Sequence, residues 1–241
     1  MRRLKYEFQI ILIMNNPEQP DKTPAKKIYV CLSGLPLSFH LEWPFHKSTS
    51  GADFYVLHAD IALENSEGLH APVSVNLSAR QFQQQDLEAI IDRTLRATEI
   101  DPRLLEFELT ESVLMKEAET ATNALRNLKS FGVQISMDDF GTGYSSLAYL
   151  KRFPLDVLKI DRAFVRDVTT DSDDATIIVA MINLAHSLGL KVVAEGVETK
   201  AQLLFLIEHG CDEMQGYYFS RPLPLEIVSK ALMEGHSLAI L

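Results

Sequence analysis

Cysteine is nearly absent. Cys31 and Cys211 are the only two in 241 residues, which excludes a disulfide framework. No apolar run approaches the roughly 18–20 residues of a membrane span. The run from Phe8 to Met14 follows Met1-Arg2-Arg3-Leu4-Lys5, but it is short and Glu7 interrupts its flank. Asn15-Asn16-Pro17-Glu18 is not a small-residue cleavage site, so the expected location is cytoplasmic. Positive charge is also scarce, with 23 Lys and Arg against 33 Asp and Glu and a net charge of −10. That balance argues against DNA, whose recognition needs a basic footprint. A small phosphate ligand stays open, because bound metal ions reverse the local sign. Low-complexity tracts and internal repeats are not evident.

What the chain does have is apolar residues, 46% of the total, enough for a full core. The length fits one large α/β barrel or two small domains. Residues 1–50 are net basic and residues 51–241 strongly acidic. Five apolar stretches each run into acidic or amide residues and then a helix-like segment. They are Val73-Ser74-Val75-Asn76, Leu105-Glu106-Phe107-Glu108 with Glu111, Val133 to Asp139, Val157 to Asp161, and Lys191 to Glu195. Cys211 to Gln215 is a weaker sixth. This alternation predicts a parallel β/α fold, and in a barrel the strand ends gather on the functional face. Oxygen donors collected there suit a hard divalent cation.

Helical periodicity places Leu87, Ile90, Ile91 and Leu95 on one face. Ala121, Leu125 and Leu128 mark a second helix ending near Gly132, and Ile178, Met181, Ile182 and Ala185 a third ending at Gly189. Thr199 with Gln202 has capping-box spacing, and Gly210 closes that helix. Only six strands are clear after residue 70, so an eight-stranded barrel needs two more, from residues 5–14 and 27–35. Residues 15–26 read as a loop, and residues 36–53 have no clean period.

Asp138-Asp139 is the strongest local signal. Adjacent like charges repel, so the pair needs cations close by. Two metals about 3.5–4 Å apart activate water in phosphodiester hydrolysis. An acidic turn is the bland alternative. Gly141-Thr142-Gly143 is no P-loop, since no Gly-Lys-Ser/Thr follows. Taken alone, Asn76 reads as a turn cap, and Lys159 as a surface lysine or one paired with Asp161. Gln215 alone is uninformative. His186 on its apolar helix and Cys211 read as structural.

Six ordered segments carry a resemblance. They are Val75-Asn76-Leu77-Ser78-Ala79-Arg80-Gln81-Phe82, Glu108 to Met115, Asp138 to Leu147, Leu158-Lys159-Ile160-Asp161-Arg162, Ala194 to Thr199, and Gln215 to Pro224. Over roughly residues 55–235 the chain resembles the EAL-domain family, bacterial cyclic-di-GMP phosphodiesterases and inactive relatives on a modified TIM barrel. The resemblance implies a TIM-like (β/α)8 barrel with irregular first strands. It implies hydrolysis of cyclic-di-GMP to linear pGpG with Mg²⁺ or Mn²⁺. Asn76, Glu108 and Asp138 would hold one metal, and Asp138, Asp139 and Glu195 the other. Lys159 resembles the lysine at the attacking water, and Glu111 the glutamate that holds the loop after Asp139. Gln215 and Phe219 resemble residues near the active site and a guanine base. The family often dimerises through the segment matching residues 144–153.

The resemblance breaks at the N-terminus. No Glu-Ala-Leu occurs anywhere, and its Glu would bind the first metal. Aligned on Lys27-Ile28-Tyr29-Val30, Leu32 falls in its place, and Glu42 is a remote substitute. The abrupt change across residues 10–55 points to a shifted reading frame or a sharply diverged end. Residues 1–54 are therefore expected to form a diverged segment supplying the first two strands, and 55–241 the barrel body. A weakened first metal site is expected. The alternatives are a degenerate domain that binds cyclic-di-GMP without cleaving it, and another Mg²⁺-dependent barrel enzyme.

Overall fold

The computed structural model describes residues 9–15, 28–32, 73–83, 86–98, 101–143, 146–219 and 221. Eight strands close a barrel in sequence order. They are β1 (Gln9–Asn15), β2 (Ile28–Leu32), β3 (Val73–Asn76), β4 (Leu105–Thr110), β5 (Gln134–Phe140), β6 (Val157–Ile160), β7 (Lys191–Ala194) and β8 (Glu213–Gln215). The two extra strands expected from residues 5–14 and 27–35 are present. The expected loop over 15–26 and the aperiodic 36–53 lie outside the described residues, apart from Asn15, the last residue of β1. So does Glu42.

β2 through β8 run parallel, but β1 is antiparallel to both β2 and β8. Sequence patterning predicted only parallel pairs. An antiparallel neighbour needs no crossover helix, and none separates β1 from β2 among the described residues.

The predicted helices form: α2 (Leu87–Thr98), α4 (Ala118–Ser130), α7 (Ser172–Ser187) and α8 (Lys200–Glu208). Thr199 and Gln202 make the reciprocal capping box at α8. Four short helices, α1 (Ala79–Phe82), α3 (Glu111–Lys116), α5 (Leu147–Leu150) and α6 (Arg162–Asp167), were not predicted. The helices cover the outside of the sheet, and residues such as Leu109, Leu125, Ile135, Leu158, Ile178 and Leu206 form a continuous buried layer between them.

Two matching clamps fix the N-terminal end of the barrel. Asp156, just before β6, accepts the Ile135 N–H of β5 at 2.8 Å and the Lys129 ammonium of α4 at 2.7 Å. Asp212, just before β8, accepts the Val192 N–H of β7 at 2.8 Å and meets His186 Nε2 of α7 at 2.8 Å. Each aspartate ties its own strand to the preceding strand and to that strand's helix. His186 and Cys211 are structural, as the sequence suggests; Cys211 is fully buried, and burial pushes its thiol up to about 12.

The register bears on the missing glutamate. Leu32 pairs with Val75, while Asn76 pairs with Glu108. Leu32 is thus one position short of the Asn76 level.

Candidate functional site

Alternation along the parallel strands decides which side chains enter the barrel. On β4, Glu106 and Glu108 share one face, while Phe107 and Leu109 pack outward into the core cluster. The pairing of Asn76 with Glu108 brings an amide beside a carboxylate at the C-terminal end.

On β5 the ladder is broken. Ser136 and Met137 pair with Val157 and Leu158, but Phe140 pairs with Ile160. Asp138 and Asp139 therefore form a bulge, which re-aims side chains at a strand end. Asp139 has φ 56°, and no other described non-glycine residue has a positive φ. Its N–H donates to Asp138 Oδ1 at 3.0 Å, and its carbonyl accepts the Thr142 hydroxyl at 2.8 Å. Burial, then the adjacent Asp138 and Asp161, raise the Asp139 carboxyl above its usual range.

The loop that follows is held by Glu111, the first residue of α3 and 1% exposed. Its Oε2 accepts the Gly141 N–H at 2.9 Å. Its Oε1 lies where a Cβ on Gly143 would come within 2.7 Å, so only glycine fits there without displacing the carboxylate. Gly141 has φ 95° and faces Phe164 and Met181, so α6 and α7 back the loop.

Lys159 on β6 enters the centre of the cluster and is 4% exposed. Its ammonium lies 2.5 Å from Glu195 Oε1, 3.0 Å from Glu108 Oε1 and 3.6 Å from Asp138 Oδ1. The simple pairing with Asp161 is not what forms. Asp161 instead caps α6 by accepting the Ala163 N–H at 2.7 Å, and it faces Asp139. Gln215 Nε2 donates to Glu195 Oε1 at 2.7 Å, so that oxygen is held by two donors. Burial pushes the Glu195 carboxyl up to about 7, with Lys159 pulling it back down. One level deeper, Glu106 is pushed up to about 7 by burial and by Glu108.

The structure thus gathers Glu108, Asp138, Asp139, Lys159, Glu195 and Gln215, with Asn76 level with Glu108 and Glu111 behind the loop. Phe219 is different. It is buried in the core cluster and packs edge-to-face on Tyr218 at 5.5 Å, leaving little ring to meet a base. Tyr217 is the exposed ring of that loop. Sequence reasoning missed Asp161 as a neighbour of Asp139; its position directly before a helix was the available signal for a cap.

Counting the described residues alone, four carboxylates surround one ammonium, so negative charge is in excess. Among the described residues no three His, Cys, Asp or Glu side chains stand together as a ready metal cage; the Lys159 ammonium lies between them. The donor chemistry is nonetheless all oxygen, with like charges pressed together, and it fits a hard divalent cation. No helix among the described residues is long and apolar enough to cross a membrane.

Comparison with known proteins gives the family. The model of the EAL domain matches residues 52–222. The bifunctional diguanylate cyclase/cyclic di-GMP phosphodiesterase MucR of Pseudomonas aeruginosa is 48% identical over 162 residues, 66% of this chain and 24% of that protein. This chain spans about a fifth to a quarter of the length of the curated relatives it matches. A solved PaMucR phosphodiesterase in complex with c-di-GMP superimposes with a TM-score of 0.64 at 47% identity, covering 66% of this chain and 64% of that one. The EAL enzyme Bd1971, in a form with cAMP and cyclic-di-GMP bound, gives a TM-score of 0.70 at 27% identity over 94% of this chain and 64% of that one. The chain belongs to the EAL-domain family.

Proposed function

We propose that this barrel hydrolyses one phosphodiester of cyclic-di-GMP to linear pGpG with the help of Mg²⁺ or Mn²⁺. The observation that carries the reading is the convergence of Glu108, Asp138 and Glu195 from three strands on the buried Lys159. Membership of the EAL-domain family supports the substrate class, as does the c-di-GMP complex of the MucR phosphodiesterase.

In this reading Asn76, Glu108 and Asp138 hold one cation, and Asp138, Asp139 and Glu195 the second. Bound there, divalent cations supply an acidified water and charge compensation for the phosphate. The residues supply the rest. Lys159 places a positive charge at the attacking oxygen and the developing phosphate charge. Glu111 holds the loop that carries Asp138 and Asp139. Gln215 orients Glu195. The ring of Tyr217, rather than that of Phe219, has the exposure needed to meet a base. A homodimer through residues 144–153 accords with Leu147, 59% exposed on α5; sedimentation that remains monomeric at high concentration would count against it.

A second reading has one observation in its favour. No Glu-Ala-Leu is present, and Leu32 lies level with Val75 rather than Asn76. No carboxylate from β2 among the described residues joins the site. A domain short of one ligand would bind cyclic-di-GMP and turn it over slowly or not at all. Chromatography of cyclic-di-GMP incubated with the protein in Mn²⁺ or in EDTA separates the two. Linear pGpG formed only with Mn²⁺ supports hydrolysis, and binding without product supports the receptor.

A further inference from the structure

Lys159 is fixed at its backbone and carries its charge on a flexible side chain. β6 is buried along its length, and Lys159 pairs with Val193 of β7. The ammonium sits at the end of a flexible four-carbon stem, a compact point charge with three donors. It contacts Glu195, Glu108 and Asp138, which come from three different strands. In the proposed reading one of these belongs to the first cation, one to the second, and Asp138 to both.

An ammonium and a divalent cation therefore contend for the same oxygens. Each carboxylate oxygen directed at the ammonium is one not free to point fully at a cation, and the two positive charges repel across a few ångströms of low-dielectric interior. Glu195 would stay oriented without Lys159, because Gln215 also donates to its Oε1.

We infer that Lys159 is an exchangeable internal counter-ion. It neutralises the carboxylates in the cation-free protein, and cation binding displaces it from Glu108 and Glu195, so this residue sets both metal affinity and metal-free stability. The inference rests on the metal reading of the site and deepens it. Cation binding becomes an exchange of one internal charge for external ones, not a simple addition.

The test compares wild type, Lys159→Met and Lys159→Arg, reading free Mn²⁺ by electron paramagnetic resonance and melting temperature in EDTA and in saturating Mn²⁺. Lys159→Met should bind Mn²⁺ at least about tenfold more tightly than wild type, since a positive charge a few ångströms away is removed. It should melt below wild type in EDTA and gain a larger shift from Mn²⁺. Lys159→Arg, which keeps the charge, should bind Mn²⁺ no more tightly than wild type. If wild type binds Mn²⁺ and Lys159→Met binds it equally or less well, the exchange is overturned while the metal reading stands. If no form binds Mn²⁺, the metal reading falls and takes the exchange with it. A measurement on wild type alone covers a variant that fails to fold. With ¹⁵N-labelled lysine, the buried Nζ resonance should move on addition of diamagnetic Mg²⁺. A resonance that stays in place while Mg²⁺ binds overturns the exchange.

Discussion

The two ends of the barrel treat acidic residues in opposite ways. At the N-terminal end each aspartate has its own partners. Asp156 has the Lys129 ammonium and the Ile135 N–H, and Asp212 has His186 and the Val192 N–H. At the C-terminal end Glu108, Asp138, Asp139 and Glu195 gather around Lys159. One-to-one pairing serves the fold, locking neighbouring strands in register. Concentrated, undercompensated charge works against the fold and is useful only to something that brings positive charge. The difference marks the C-terminal end as the candidate working face.

The largest expected effect breaks the working face alone. Asp138→Asn should lower Mn²⁺-dependent pGpG formation by about 10² or more, the scale of losing one electrostatic element from a preorganised site. Its melting temperature in EDTA should not fall, because the lost charge was among like charges. Unchanged turnover would remove Asp138 from the mechanism.

Much of this division was legible in the sequence, and the rest was hidden for physical reasons. Strand-end acids are visible because β/α alternation predicts where strands stop, and the long helices α2 and α7 show whole amphipathic turns. Helices α3, α5 and α6 have six residues or fewer, too few for a period. The bulge at Asp138-Asp139 leaves no mark in composition, so the φ 56° at Asp139 could not be foreseen. Taken alone, Lys159 reads as a surface lysine or a partner for Asp161, and only the resemblance puts it at the site; strand parity turns Lys159 into the barrel while Asp161 caps α6. The paired clamps were missed although a signal existed. Lys129 and His186 each stand three residues before a helix-ending glycine, Gly132 and Gly189, and each acceptor aspartate opens a later strand. The β2–β3 register, which sets Leu32 level with Val75, is not legible in the sequence alone.

A pH titration in EDTA sharpens the contrast. Glu106 lies beneath the working face, and its carboxyl is pushed from 4.5 up to about 7 by burial and Glu108. The folded protein holds this proton more tightly than the unfolded chain does. The contribution to stability is therefore complete below about pH 4.5 and is lost as pH rises through about 7, a change of about 3 kcal/mol. Glu106→Gln should make that part of the denaturation profile shallower, leaving the share of Glu195, which is also pushed up to about 7. An identical slope in the variant would assign the pH dependence elsewhere.

The smaller effects belong to the other end. Asp156→Ala strands the Ile135 N–H and leaves the Lys129 ammonium with the Val133 carbonyl, and it should cost about 2 kcal/mol in urea unfolding, with Mn²⁺ affinity unchanged. His186→Ala leaves Asp212 its Val192 N–H and should cost about 1 kcal/mol or less. Mn²⁺ affinity lost in either variant would show that the two ends are not separable.

The most direct measurement of the central claim is thermal unfolding of wild type and Asp139→Asn, each in EDTA and in Mn²⁺. Asparagine is nearly the same shape and tolerates a positive φ, so the substitution changes chiefly the charge. The account predicts that Asp139→Asn melts at or above wild type in EDTA. Mn²⁺ should then raise the wild-type melting temperature and leave that of the variant nearly unmoved. A variant that melts lower in EDTA, alongside a wild type indifferent to Mn²⁺, would mean that these carboxylates stabilise the barrel and are not assembled to bind a cation.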